Sequence, residues 1–205
     1  MKFFLSGCQR SGTTLLRYIL DSHKQICVPP ETRFTYPLSK IFDDKKTIYA
    51  MKTIYNSQDD INLKFKKFLE SLYQNYLFKK KKKILINKSA HNLYSMNFLS
   101  KLYGKKKTKF IFLFRDGLDV ANSLASYKET FNFVKGKTYN SKFESALNHW
   151  ISYNHTLLKN LKKYKILLIR YESLQANPEK ETKKIFNFIK QKYNPEILNF
   201  SKFYN

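Results

Sequence analysis

Short apolar runs alternate along this chain with longer stretches in which apolar residues recur at helical spacing. The short runs are apolar throughout, which is typical of strands that are buried on both faces of a sheet. They predict strands over 2–6, 83–87, 109–114 and 165–169, with a short further strand at 26–28. The longer stretches predict helices over 12–22, 60–78, 91–103, 117–128, 142–163 and 178–191.

This regular alternation predicts an α/β fold in which a parallel sheet carries helices on both faces. In such a fold, ligands bind at the carboxyl ends of the strands. The last helix also has clear boundary residues, since Asn177 can cap it, Pro178 fits its first turn and Glu179 suits its positive end. No internal repeat or linker divides the sequence, so we expect residues 1–205 to form a single domain.

The composition is typical of a globular protein, with 205 residues of which 42% are hydrophobic. No apolar run approaches the length of a membrane span, and the first strand begins where a signal peptide would have to be. Cys8 and Cys27 are too few for a disulfide framework, which fits a reducing compartment. We therefore expect a soluble, cytoplasmic protein.

The formal net charge of +24 raises the question of a nucleic-acid or membrane partner. The lysines accompany abundant Asn, Ile, Tyr and Phe, as in proteins encoded by AT-rich genes, and the runs Lys79–Lys83 and Lys105–Lys107 directly precede predicted strands. We interpret the charge as a solvated surface that attracts anionic ligands, and not as a nucleic-acid groove. A basic, non-catalytic nucleic-acid binder is the alternative, and it predicts a steep salt dependence of binding.

The segment Gly7–Thr14 carries the strongest chemical signal. It joins the first strand to a helix, and Gly7 and Gly12 have four residues between them, which is the spacing of a phosphate-binding loop. In that geometry, backbone N–H groups and the positive end of the helix face an anion. A nucleotide-hydrolysing P-loop has Lys after the second glycine, whereas here Thr13 follows and the cation is Arg10. The loop therefore predicts a phosphate-like ligand without the usual lysine for a γ-phosphate.

Arginine is rare in this chain, which has 34 Lys and only five Arg: Arg10, Arg17, Arg33, Arg115 and Arg170. Lysine does not replace arginine where a planar fork must grip phosphate or carboxylate. Two further strand ends carry polar residues, at 87–91 and 115–123. In the second, the Arg115 fork and the Ser123 hydroxyl would suit another phosphate, with a local ion pair between Arg115 and Asp116 as the alternative.

Taken in order, five segments resemble the sulfotransferases that use 3′-phosphoadenosine 5′-phosphosulfate (PAPS), and the tyrosylprotein sulfotransferase branch in particular. The segments are Arg10–Leu15, Pro30–Arg33, Asn87–Lys88, Arg115–Ser123 and Tyr171–Leu174. The resemblance covers nearly the whole chain and implies the sulfotransferase fold, a P-loop-like parallel sheet with flanking helices, here with a short C-terminus. It also implies transfer of a sulfuryl group from PAPS to a hydroxyl acceptor, which leaves 3′-phosphoadenosine 5′-phosphate (PAP).

The resemblance implies a set of donor-binding residues: Arg10, Ser11, Gly12, Thr13, Thr14, Arg115, Ser123 and Tyr171. The N–H groups of residues 11–14, with the two threonine hydroxyls, would hold the 5′-phosphosulfate. Arg115 and Ser123 would grip the 3′-phosphate, which distinguishes this donor from ATP. Tyr171 would lie near the adenine.

The resemblance also implies catalytic residues. Glu31 would take the proton of the acceptor hydroxyl, with Arg33 contacting the acceptor, and Arg10 and Lys88 would neutralise charge on the sulfuryl group and leaving phosphate. Sulfuryl transfer resembles phosphoryl transfer, so catalysis is mainly positioning and charge stabilisation, and no metal is required. His91 is the alternative base, because other sulfotransferases have a histidine shortly after the matching lysine. The sequence leaves open whether apolar neighbours raise the pKa of Glu31 or nearby cations lower it.

Two departures from the family pattern affect these expectations. The given sequence ends about one helix after the Tyr171 motif, with Phe200–Asn205 as its last residues, where family members continue into a segment that helps to close over the nucleotide. Thr35–Pro37 stands where tyrosylprotein sulfotransferases carry another arginine for acidic peptides, so the acceptor stays open as a carbohydrate, lipid, small metabolite or tyrosine hydroxyl. Two functions stand as alternatives to an active PAPS-dependent sulfotransferase: a P-loop nucleotide kinase or NTPase, and a truncated, inactive sulfotransferase homologue.

Overall fold

The computed structural model of the chain describes residues 2–127 and 139–203. A sheet of five parallel strands forms its centre: β1 (Lys2–Ser6), β2 (Ile26–Cys27), β3 (Ile84–Lys88), β4 (Thr108–Phe114) and β5 (Lys165–Arg170). The strands lie in the order β2-β3-β1-β4-β5. All five predicted strands are confirmed, and no boundary shifts by more than one residue.

The helices of the described residues are α1 (Thr13–Asp21), α2 (Thr35–Asp43), α3 (Lys45–Lys52), α4 (Gln58–Lys80), α5 (Met96–Tyr103), α6 (Gly117–Ala125), α7 (Lys142–Leu161), α8 (Tyr171–Ala176) and α9 (Pro178–Ile189). Two 3-10 helices cover Ala90–Ser95 and Pro195–Phe203. The predicted helix 91–103 is divided between the first 3-10 helix and α5. Residue 128, the last of the predicted helix 117–128, lies outside the described residues.

The sequence pattern does not predict α2, α3 or α8. Helix α2 contains Pro37, which is tolerated because it lies in the first turn, where an N–H has no intrahelical partner. Helix α3 begins after Asp44, whose carboxylate accepts a hydrogen bond from the N–H of Thr47 at 2.7 Å. The predicted cap of α9 is confirmed, since Asn177 Oδ1 accepts from the N–H of Lys180 at 3.0 Å.

The sheet separates two hydrophobic cores, because alternate residues of β4 point to opposite faces. Phe110 and Phe112 pack with residues of α4, α5 and α7 on one face. Ile111 and Leu113 pack with residues of α1 and α9 on the other. These four side chains are at most 1% exposed, which explains the unbroken apolar run of this strand.

The strand register aligns the carboxyl ends of β1, β3 and β4. Leu5 of β1 lies opposite Lys88 of β3 on one side and Ile111 of β4 on the other. The segments that follow these three strands therefore meet at one edge of the sheet, where a parallel fold of this kind binds its ligands.

Candidate active site

The loop between β1 and α1 turns tightly at the start of the helix. The N–H of Ser11 donates to the carbonyl of Cys8 at 3.1 Å, and Arg10 and Gly12 have φ angles of 69° and 89°. A Cβ at Gly12 would lie 2.4 Å from the Tyr171 ring. Only glycine therefore fits both the left-handed backbone and the space at this position.

This loop has the features of an anion site. Ser11 is 1% exposed, and its hydroxyl has no hydrogen-bond partner among the residues that the structure describes. Within the same residues no side chain caps α1 at Gly12, and its first turn, which begins with Thr13 and Thr14, holds no acidic residue. A buried hydroxyl and an uncapped helix N-terminus together fit the phosphate-like group that the sequence predicts here.

The carboxylate of Glu31 is held at the end of β3. The Nζ of Lys88, the last residue of that strand, lies 2.6 Å from Glu31 Oε2. The N–H of Ala90 donates to Glu31 Oε1 at 2.9 Å. Because Lys88 lies opposite Leu5, which precedes the loop Gly7–Thr14 by two residues, the pair lies beside that loop.

Opposing effects set the pKa of Glu31. Burial raises the pKa of this carboxyl, whereas the hydrogen bond and charge of Lys88 and the N–H of Ala90 lower it. The lowering effects win, so the pKa of Glu31 lies below its ordinary value. The nearby cation and N–H groups therefore outweigh burial, and Glu31 is an ionised carboxylate at neutral pH.

A hydrogen-bond network holds the Glu31 segment against β3. Thr32 donates both its N–H and its hydroxyl to the carbonyl of Lys88, each at 3.1 Å. The Thr32 hydroxyl accepts from the Asn87 amide at 2.5 Å, and the Asn92 amide donates to Asn87 Oδ1 at 2.9 Å. Sequence analysis assigns no role to Asn92, and names Thr32 only as part of the segment Pro30–Arg33. A polar residue within an apolar strand, here Asn87 at 1% exposure, is the sequence signal for this network.

His91, the alternative base, lies on the 3-10 helix that follows β3. Its ring stacks on Tyr36 with centroids 5.3 Å apart, and its Nδ1 is buried without a partner in the described part of the chain. Burial lowers the pKa of His91, the charge of Glu31 opposes this effect and the charge of Arg33 adds to it. The imidazole is therefore neutral at neutral pH. Arg33 is exposed on the same side of the site.

The end of β4 carries the third group of predicted residues. Arg115 Nη2 donates to Asp119 of α6 at 3.1 Å, and its guanidinium carbon lies 4.6 Å from the centre of the Tyr171 ring. Ser123, one turn further along α6, accepts from Arg10 Nε at 2.8 Å. The structure thus brings four of the predicted donor-binding residues together: Arg10, Arg115, Ser123 and Tyr171. Glu31 and Lys88 form a separate pair at the end of β3.

Arg115 forms an ion pair, but its partner is Asp119 and not Asp116, which the sequence indicates. Asp116 caps α6 by accepting from the N–H of Leu118 at 2.9 Å, and the carboxylate beside Arg115 is that of Asp119. Trp150, which sequence analysis does not place in the site, donates its Nε1 proton to the Arg115 carbonyl at 3.1 Å. Its ring also packs against Gly117, where a Cβ would lie 3.0 Å away. Trp150 therefore supports the turn that presents Arg115.

The known proteins to which this chain is similar agree on one family. A sequence model of the sulfotransferase family matches residues 3–195. A protein-tyrosine sulfotransferase from Drosophila melanogaster is 25% identical over an alignment that covers 98% of this chain and 40% of that protein. The chain spans between 40% and 55% of the length of the first three curated relatives that it matches.

Solved structures share the fold. The sulfotransferase domain from the curacin biosynthetic pathway superposes with a TM-score of 0.68 at 22% identity, covering 97% of this chain and 77% of that one. A mouse sulfotransferase complexed with PAP gives a TM-score of 0.54 at 17% identity, covering 98% and 62% of the two chains. These similarities confirm the predicted parallel sheet with helices on both faces.

Three further observations concern residues 2–127 and 139–203. They contain no group of three or more His, Cys, Asp or Glu side chains arranged to hold a metal ion. None of their helices has the length and apolar character needed to cross a membrane. Cys8 and Cys27 are buried free thiols.

Proposed function

The chain belongs to the sulfotransferase family, and from this premise we propose that it transfers a sulfuryl group from PAPS to a hydroxyl group of an acceptor. The observation that carries the proposal is the Lys88–Glu31 pair beside the anion-binding loop. A proton acceptor and a fixed cation next to a phosphate site support in-line transfer, which depends on positioning and charge stabilisation. The family match favours this reaction over the nucleotide kinase alternative.

The donor would be held by two groups of residues. The N–H groups of Ser11–Thr14 and the Ser11 hydroxyl would bind its 5′ end, and Arg115 with Ser123 would bind its 3′-phosphate. The buried Ser11 hydroxyl and the buried Arg115 Nε have no partners in the described part of the chain. A buried donor left unpaired costs about 1–3 kcal/mol, so a ligand that satisfies both groups would bind favourably. Bound PAPS supplies the sulfuryl group.

Glu31 is the general base in this proposal. Its carboxylate is ionised and takes the hydroxyl proton while the acceptor oxygen forms its bond to sulfur. The electron pair of the broken sulfur–oxygen bond stays on the 5′-phosphate of PAP, where Lys88 offsets the charge. General base catalysis of this kind contributes about 10²- to 10⁴-fold to a rate.

The acceptor is proposed to be a hydroxyl compound of one of four classes: a carbohydrate, a lipid, a small metabolite or tyrosine. The names of the relatives, protein-tyrosine sulfotransferases, support tyrosine. Arg33 is exposed beside His91 and is proposed to contact the acceptor. The single-domain organisation and the cytoplasmic location stay predictions.

Calorimetric titration with PAP, and separately with ATP and Mg²⁺, at one fixed salt concentration tests the donor. Transfer of radiolabelled sulfate from PAPS to a panel of hydroxyl compounds, including a tyrosine peptide, tests the reaction. We expect saturable PAP binding, weak ATP binding and labelling of at least one acceptor. Preference for ATP would support a kinase or NTPase, and a folded protein that does not bind PAP would be an inactive homologue.

A further inference from the structure

A cavity of about 350 Å³ lies at the amino ends of β1 and β3, at the opposite edge of the sheet from Glu31 and the loop Gly7–Thr14. Residues of α4 bound it on one face of the sheet, and residues at the end of α9 bound it on the other. Its volume falls within the range of small-molecule sites, which are mostly apolar with a few polar groups that select the ligand. The side chains around it therefore indicate what it could hold.

Apolar side chains form much of the wall of this cavity, among them Phe3, Phe4, Leu77, Ile84 and Ile189. Successive residues of a strand point to opposite faces, so the two phenylalanines of β1 lie on different sides of the sheet. The cavity thus passes beneath the ends of the strands, from one face of the sheet to the other. Burial of apolar surface against this wall would stabilise a ligand that has an apolar body.

Three lysines line the same cavity: Lys2, Lys83 and Lys190. Lys2 Nζ lies 3.0 Å from the carboxylate of Glu70. Within residues 2–127 and 139–203, Lys83 and Lys190 have no carboxylate within 4.0 Å, and no Asp or Glu lines the cavity. One carboxylate therefore offsets one of three cations, which leaves the cavity positively charged.

Positive charge is also crowded around Lys190 from the direction of β4 and β5. Lys109 is only 5% exposed, and its Nζ donates a hydrogen bond to the carbonyl of Phe188 in the last turn of α9. Burial lowers the pKa of Lys109, and the charges of Lys190 and Lys165 lower it further. An anion bound beside Lys190 would relieve this repulsion.

We infer that this cavity binds a small amphipathic organic anion, of which a medium-chain carboxylate is the simplest example. Its apolar body would lie against Leu77, Ile84 and Ile189, and its anionic head group would lie beside Lys83 and Lys190. An inorganic anion would leave the apolar wall in contact with water, and an uncharged chain would leave the lysines without a counter-charge. The inference does not rest on the proposed function, because the candidate active site lies at the carboxyl ends of the strands.

Calorimetric titration with three probes at one fixed salt concentration tests the inference. Octanoate should bind saturably, with a Kd of about 1 mM or lower. Octan-1-ol has the same chain without the charge and should bind at least about fivefold more weakly, and acetate has the head group alone and should not saturate in the same range. Octanoate that does not saturate, or that binds no better than octan-1-ol, would overturn the inference.

A variant that fills the cavity locates the octanoate site. Leu77→Trp places a larger side chain in the cavity and should weaken octanoate binding at least about tenfold. Phe78→Trp is the matched control, since it enlarges the neighbouring side chain, which is 87% exposed and does not line the cavity, and it should leave octanoate affinity unchanged. Octanoate binding that persists in Leu77→Trp would place the ligand elsewhere and overturn the inference.

Lysine variants test the head-group contact, and they keep the inference testable if Leu77→Trp does not fold. Lys83→Gln and Lys190→Asn each remove one charge, and asparagine tolerates the left-handed φ of 58° at Lys190. Each should weaken octanoate binding about two- to fivefold and leave octan-1-ol binding unchanged. Lys159→Gln removes a charge from an exposed lysine of α7 and should change neither affinity. Wild-type octanoate affinity in both cavity variants would overturn the inference.

Titration of the same preparations with PAP tests the proposed function separately. PAP affinity should stay unchanged in the variants of Leu77, Lys83 and Lys190, because these residues lie away from the loop Gly7–Thr14. Wild-type protein that binds octanoate but not PAP would contradict the proposed function alone. Wild-type protein that binds PAP but not octanoate would contradict this inference alone.

Discussion

The Nζ of Lys88 and Oε2 of Glu31 lie 2.6 Å apart, although 57 positions separate the two residues in the sequence. This contact fixes a carboxylate and a cation at the edge of the sheet where the loop Gly7–Thr14 begins. The cation that keeps Glu31 ionised also weakens it as a base, because a lower pKa means a lower affinity for the proton. The less Lys88 pairs with Glu31, the higher the pKa of Glu31 becomes.

Replacing the carboxylate of Glu31 should remove turnover and leave donor binding intact. In Glu31→Gln we expect kcat to fall about 100-fold or more, the contribution of a general base, while PAP affinity changes by less than about threefold. Steady-state kinetics and calorimetry on the same preparation measure both quantities. Glu181→Gln is the control, since Glu181 is a buried carboxylate 2.5 Å from Lys184 on α9 and should keep normal turnover. Full activity in Glu31→Gln would assign the base to His91.

The pH dependence of kcat/KM should identify the base without a change at Glu31. A base must be deprotonated, so the rate falls as pH falls through its pKa. Lys88 and the Ala90 N–H outweigh burial and hold the pKa of Glu31 below its ordinary value, so kcat/KM should stay flat from about pH 9 to about pH 5. His91→Gln should keep this flat profile. An acid limb above pH 5 that disappears in His91→Gln would contradict the role of Glu31.

Gly12 should be irreplaceable in the loop because of its backbone and its neighbour. Alanine there would have to adopt a φ of 89° with its Cβ 2.4 Å from the Tyr171 ring. We expect Gly12→Ala to lose at least about tenfold in PAP affinity, because the loop must move out of position. Gly104→Ala is the matched control, since Gly104 has a φ of 82° but no atom within 4 Å of the added Cβ. It should cost about 1–3 kcal/mol of stability and leave PAP affinity unchanged.

His149 should make the protein less stable as the solution becomes acidic. Burial, with a smaller contribution from His91, lowers the pKa of His149 from 6.5 to about 4 in the folded protein. Between these values the unfolded chain binds more protons than the folded one, so the free energy of unfolding falls as pH decreases through this window. One such group changes the free energy of unfolding by up to about 1.4 kcal/mol per pH unit.

Denaturant unfolding of His149→Gln between pH 4.5 and 7 measures this contribution. The free energy of unfolding of the variant should depend less steeply on pH than that of the wild type. His149 Nε2 lies 2.8 Å from Gln9 Oε1, and a glutamine amide can donate the same bond. His155→Asn changes an exposed histidine of the same helix and should keep the wild-type slope. An unchanged slope in His149→Gln would show that His149 does not carry the effect.

Local patterns are sufficient for much of this architecture. The unbroken apolar run of β4 predicts a strand buried on both faces, and Phe110 and Ile111 indeed pack into different cores. The spacing of Gly7 and Gly12 predicts a tight loop, and the left-handed φ of Gly12 provides it. Such features depend on a residue and its near neighbours, so periodicity, glycine and capping residues are enough to find them.

By itself, then, the sequence determined the fold class, the sheet edge that carries the site and the residue types that meet there. Tertiary structure alone decided that Arg10 reaches Ser123, 113 positions away in the sequence. It also decided that Glu31 is ionised, because the pKa of a carboxyl balances burial against the distance to each charge. Those distances join residues far apart in the chain, and no local pattern encodes them.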